Sequence, residues 1–98
     1  MQHINQRPLK HILVCTNERD GERECCSKVQ GYEIFRHLKD WTKSNGLAGS
    51  VWVTRTGCLG FCNSVGATIV IYPDQIWFKE VKMDEVQKIK ELILDSIK

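Results

Sequence analysis

Five cysteines carry the reactive chemistry of this chain. Two stand in Thr56-Gly57-Cys58-Leu59-Gly60-Phe61-Cys62, with glycine before the first and again between the two. The others are Cys15 and the adjacent pair Cys25-Cys26, which closes a charged stretch. Thiolates so placed suit three chemistries. Four of them hold a [2Fe–2S] cluster, which carries one electron. Four also hold a structural zinc, normally through two Cys-x-x-Cys hooks. Two close cysteines make a dithiol redox pair, commonly Cys-x-x-Cys at a helix start. This chain has no Cys-x-x-Cys; its spacings are Cys15-x10-Cys26 and Cys58-x3-Cys62. The wide first loop favours a two-iron cluster over one small ion, with zinc as the rival.

The elements around these residues decide whether the sulfurs can meet. Lys10-His11-Ile12-Leu13-Val14-Cys15 reads as a strand ending in a cysteine, and its apolar run suits a strand covered on both faces. Thr16 to Glu24 is a charged loop with an Asp20-Gly21 turn signal. A helix is expected over Val29 to Ser44, with Ile34, Leu38 and Trp41 on one face and Phe35 beside them. Asn45-Gly46 stops it. Residues 51–55 read as the next strand, followed by the cysteine loop, where Gly57 and Gly60 allow a tight path. Residues 67–72 form another strand. Pro73-Asp74-Gln75 turns the chain, and Ile76-Trp77-Phe78 returns as a hairpin partner. Asp84 and Glu85 suit the first turn of a last helix, whose stripe is Val86, Ile89, Ile93 and Ile97 with Leu92 alongside.

The order β-α-β-β-β-α is an α/β arrangement of thioredoxin-like type: a small mixed sheet with helices on both faces. The helical crossover makes the first two strands parallel. Cys15 and Cys58 then lie at the carboxyl edge of the sheet, where sites in open α/β folds usually form. Cys26 precedes the helix that leaves that edge, and Cys62 shares the loop of Cys58. Four sulfurs from two loops therefore converge.

Length and charge narrow the function classes. Ninety-eight residues suit one domain over 1–98, with 1–8 as a loose lead-in. The net charge is +2, from 14 basic and 12 acidic residues without a basic stripe, which gives no case for nucleic acid. No apolar run approaches membrane-spanning length, and the start shows no signal-peptide core. A cytoplasmic location is expected. In that reducing compartment five cysteines point to metal or redox chemistry rather than structural disulfides.

Cys15-x10-Cys26 with Thr56-Gly57-Cys58-x3-Cys62, then Ile71-Tyr72-Pro73-Asp74 and Trp77-Phe78, resembles the thioredoxin-like [2Fe–2S] ferredoxins. These are similar to the small cluster-bearing subunit of complex I and of NAD-linked hydrogenases. The resemblance runs from about Lys10 onward. It implies a soluble one-electron carrier, not an enzyme, whose [2Fe–2S] cluster is held by Cys15, Cys26, Cys58 and Cys62. It also implies redox partner proteins whose identity the sequence does not name, no nucleic acid and no membrane, and it leaves room for a homodimer. The alternative within the same resemblance is a subunit of a flavin-linked NAD oxidoreductase or hydrogenase. A structural four-cysteine zinc module is the rival from another class.

The family pattern places Glu-apolar-Phe seven to nine residues after the second ligand. Glu33-Ile34-Phe35 stand so from Cys26, which makes Cys25 the bystander. Two departures concern the backbone: Gly66-Ala67 stands where Gly-Pro is usual, and Gln75 where glycine often follows Tyr-Pro-Asp. The first loop is also a little short. A four-thiolate centre is locally anionic, so a low potential is natural, near the roughly −400 mV of plant-type ferredoxins. Backbone N–H groups and cations such as Arg55 or Lys28 raise it. His3, His11 and His37 share no spacing with the cysteines and read as surface or packing residues. Trp41, Trp52 and Trp77 read as core or edge packing. The run Arg19–Lys28 reads as a solvated loop close enough to the cluster to dock a partner.

Overall fold

The computed structural model describes residues 1–17, 30–60 and 66–97. β1 (Lys10–Cys15), α1 (Gly31–Ser44), β2 (Val51–Thr56), β3 (Ala67–Tyr72), β4 (Ile76–Val81) and α2 (Val86–Ser96) follow in that order. They build one sheet in the order β2-β1-β3-β4. β1 and β2 are parallel, and the other two pairings are antiparallel. β3 is mostly apolar and is buried on both faces over Ala67–Ile71, Thr68 included, as a central strand must be.

Strand alternation separates two faces. Register sets Ile12 beside Val53 and Ile71, and Val14 beside Ile69. These residues form one core cluster with Ile34 and Leu38 of α1 and with Val86, Ile89 and Ile93 of α2. The helices also meet directly: Lys90 Nζ of α2 stands 5.9 Å from the ring centre of Trp41 in α1. Both helices therefore lie on the same face. This corrects the expectation of helices on both faces. The handedness of the crossover places α1, but a terminal helix after a hairpin can return to either side. Here Val81 ends β4 on the core side, beside Ala67, and Met83 packs against the same cluster, so α2 returns to the face of α1.

The opposite face carries Leu13, Trp52, Val70 and Trp77. Val70 is fully buried yet belongs to no part of the main cluster. His11 lies on this face, its ring edge-on to Trp52 at 5.7 Å, with Nε2 2.8 Å from Thr54 Oγ1. It is a packing histidine, as expected. Trp41 and Trp52 are half-buried, and Trp77 lies more exposed on the edge strand β4 beside Val70.

Boundaries shift for local reasons. Gln30 has φ 67°, a left-handed conformation that no helix continues through, so α1 starts at Gly31. Val29, where the helix was expected to start, lies outside the described residues. β4 runs on to Val81 through an irregular step in its register with β3, where Glu80 has φ 60°. Asp84 and Glu85 sit in a 3₁₀ turn, and the Lys82 N–H donates to Glu85 Oε1 at 3.2 Å before α2 begins. The Tyr72–Pro73 bond is cis. In the turn that follows, both Asp74 carboxylate oxygens accept from Lys10 Nζ at 2.7 Å, which ties the hairpin turn to the head of β1.

Gln75 has φ 58°, where the family pattern favours glycine. A side chain there costs about 1–2 kcal/mol, against a smaller entropic cost for glycine. Gln75→Gly should raise unfolding stability by about 0.5–1 kcal/mol, read from a denaturant midpoint. His11 has its pKa lowered from 6.5, first by burial and then by the positive charge of Lys39. Its folded pKa lies below the unfolded one, so the fold favours the neutral ring. That contribution is complete above 6.5 and is lost as pH falls through the folded value. The thermal midpoint of the wild type should therefore drop more between pH 7.5 and 5.5 than that of His11→Gln; equal drops would refute it.

Candidate metal centre

The site begins where two strands stop. Cys15 is the last residue of β1 and pairs with Thr56, the last residue of β2. Past that pair the two segments stay bound: Thr16 N–H donates to the Thr56 carbonyl at 3.0 Å. The Thr16 hydroxyl lies 3.4 Å from the same oxygen. Cys58 follows Thr56 by two residues, so both cysteines stand at the carboxyl ends of the paired strands β1 and β2. Cys15 is fully buried and part of the core cluster, whereas Cys58 is exposed.

The Cys58 loop is shaped residue by residue. Gly60 has φ +95°, a conformation that side chains rarely adopt. From there its N–H donates to Cys58 Sγ at 3.3 Å. Leu59, between them, is half-buried and packs against the core, which anchors the loop while Cys58 faces out. A Cβ on Gly57 would come no nearer than 3.9 Å to anything, and that neighbour is Asn17 Oδ1. Arg55 is exposed three residues before Cys58.

Gly66, just before β3, is held far more tightly. A Cβ on it would lie 2.3 Å from the Glu80 carbonyl carbon and 2.6 Å from both Glu80 O and Val81 N. The left-handed Glu80 leaves room there for glycine alone. This close approach accounts for the glycine at that position. The alanine that replaces the usual proline, Ala67, simply opens β3 beside Val81.

Cys25, Cys26 and Cys62 lie outside the described residues, as does the Arg19–Lys28 run. Among the described residues no group of three or more His, Cys, Asp and Glu could hold a metal ion. His3 and His37 are exposed, in line with surface roles. Sequence reasoning missed the Thr16–Thr56 link and the Gly66–Glu80 packing. A threonine next to a cysteine carries no signal of its own, and Gly66 signals only as a glycine directly before a strand. The donor set suits a thiolate-bound group: two thiols at neighbouring strand ends, with a backbone N–H directed at one sulfur. Such N–H donors stabilise charge on a coordinating sulfur.

No protein-family model matches the chain. It is 38% identical over 91 residues to a 2Fe-2S ferredoxin from Clostridium pasteurianum, covering 91% of this chain and 88% of that one. It is 29% identical over 85 residues to a 2Fe-2S ferredoxin from Aquifex aeolicus (strain VF5), covering 84% and 76%. Among solved structures it is similar to the wild-type thioredoxin-like [2Fe-2S] ferredoxin from Aquifex aeolicus. That match has TM-score 0.78 and 28% identity over 92% of this chain and 89% of the other. A second structure of a thioredoxin-like [2Fe-2S] ferredoxin from that organism gives TM-score 0.75 and 30% identity, covering 87% and 79%. Fold and relatives together define a small α/β iron–sulfur protein. The chain belongs to the thioredoxin-like [2Fe–2S] ferredoxins.

Gly66→Ala should cost about 2–3 kcal/mol, because backbone rather than a movable side chain blocks the new methyl. Gly49 has nothing within 4 Å of its Cβ position and no positive φ. Gly49→Ala should therefore leave the denaturant midpoint nearly unchanged or raise it. Equal effects of the two substitutions would remove Gly66 as a packing constraint.

Proposed function

We propose that this ferredoxin transfers single electrons between redox proteins, with Cys15, Cys26, Cys58 and Cys62 as the ligands of its cluster. The pairing of Cys15 with Thr56 supports Cys15 and Cys58 as two of these ligands, and the family pattern supports Cys26 and Cys62. When bound, the cluster supplies the site that gains and loses the electron. The protein's part is to fix the thiolates and to decide which side of them a partner reaches. Cys15 is held in the core, and Cys58 is exposed beside exposed Gly57 and Gly60. A partner therefore approaches over the Cys58 loop, where no bulky side chain at either glycine keeps it away.

The Gly60 N–H on Cys58 Sγ favours the extra negative charge of the reduced state, and so raises the potential. Arg55 acts in the same direction, but solvent screens an exposed cation. The donor and acceptor are other redox proteins, and the chain is a carrier rather than an enzyme, a reading supported by its similarity to 2Fe-2S ferredoxins. Among the described residues no helix is long and apolar enough to cross a membrane. The five cysteines agree with a cytoplasmic setting.

Anaerobic purification should give a reddish-brown protein with one two-iron centre per chain by electron paramagnetic resonance after reduction. Stoichiometric zinc without iron would sink this function. Cys25→Ser should keep the visible spectrum, while Cys26→Ser, Cys15→Ser, Cys58→Ser and Cys62→Ser should each lose or shift it. Exchanged outcomes for Cys25 and Cys26 would move the second ligand by one residue.

A further inference from the structure

We propose that Thr16 is a positioning residue for the thiol site, whose hydroxyl latches the segment carrying Cys58 to the strand end carrying Cys15. This rests on the ligand assignment above. A parallel ladder fixes the chain only as far as its last pair, here Cys15 with Thr56. From the strand side, the placing of Cys58 passes through the next two peptide units. Both of those carbonyls accept a hydroxyl. The Thr56 carbonyl accepts from Thr16, through the N–H at 3.0 Å and the hydroxyl at 3.4 Å. The Gly57 carbonyl accepts from the Thr56 hydroxyl at 2.8 Å. A carbonyl has two lone pairs, so the two Thr16 donors do not compete.

The result is a short chain of bonds from the residue after Cys15 to the residue before Cys58. Glycine at position 57 has no side chain to restrict its own backbone, so orientation there must come from outside. Asn17 Oδ1 lies near, 3.9 Å from where a Cβ on Gly57 would stand. The Thr16–Thr56 bond is partly buried, which limits competition from water there, while the Thr56–Gly57 bond is exposed. Two ligands that differ in burial are thereby linked by a residue that acts through the Thr56 carbonyl.

Thr16→Val keeps the branched shape and the backbone N–H and removes the hydroxyl alone. In the iron-loaded protein it should shift the visible circular dichroism and the reduction potential. It should also release iron to a chelator about two- to ten-fold faster, the size expected for one hydrogen bond. In metal-free protein, amide exchange at Gly57 and Cys58 should quicken while the thermal midpoint stays unchanged. Thr16→Ser should restore wild-type behaviour in every measurement. A loaded Thr16→Val with wild-type dichroism, potential and iron release overturns the proposal. So does a fall in midpoint without a spectral change, since that is a merely structural role. Failure of the wild type itself to take up iron would fall on the ligand assignment, and the metal-free amide exchange would then decide the latch alone.

Discussion

The parallel ladder between β1 and β2 is the constraint from which the site follows. A parallel pair needs a crossover, and the crossover returns the chain so that both strands end on the same edge. Cys15 and Thr56 finish their strands opposite each other. A slip of one residue would turn Cys15 to the other face of the sheet and detach it from Thr56. Register is protected by the core: Ile12 faces Val53 and Ile71, and Val14 faces Ile69, all among buried neighbours. The apolar packing of one face thus sets the geometry of sulfur at the edge.

Core and site are not separate compartments here. Cys15 belongs to the hydrophobic cluster, and Leu59 reaches back to it from the loop of Cys58. One thiol is anchored in the rigid interior and the other sits on a loop hooked to that interior by its neighbour. Beyond the cysteines, the chain is pinned again where Gly66 lies against the Glu80 peptide. The two helices contribute from one face only. Stability is concentrated there, while the other face keeps Trp52, His11 and Thr54 in a smaller, partly polar group.

Much of this was legible from residue types. The strand Lys10–Cys15 and the strand Ala67–Tyr72 have the bounds their apolar runs suggest. The stripe Val86, Ile89 and Ile93 is buried as its spacing requires. The parallel pairing that ends β1 at Cys15 beside the last residue of β2 needed only element order and handedness. What stayed hidden was of two kinds. The side of the sheet taken by α2 depends on how β4 ends at Val81, and periodicity within α2 carries no such information. The Thr16–Thr56 bonds and the Gly66–Glu80 approach join residues far apart in sequence and lack a repeating pattern. Gln75 and Glu80 take left-handed conformations that their residue types argue against. There tertiary packing overrides local preference.

The central place of β1 has a consequence for how the chain comes together during synthesis. β1 is made before both of its partners, yet it lies between β2 and β3. Its hydrogen-bonding edges wait unpaired until residues 51–56 and then 67–72 have been added. Such long-range pairing is slow, and open edges invite pairing with other chains. Lys10 stands at the head of this strand. On a nascent chain its charge discourages edge-to-edge association, as a gatekeeper lysine does. Its partner Asp74 lies 64 residues later, past the end of β3. The same ammonium that keeps the unfinished strand solvated is thus buried and neutralised only when the sheet around it is complete.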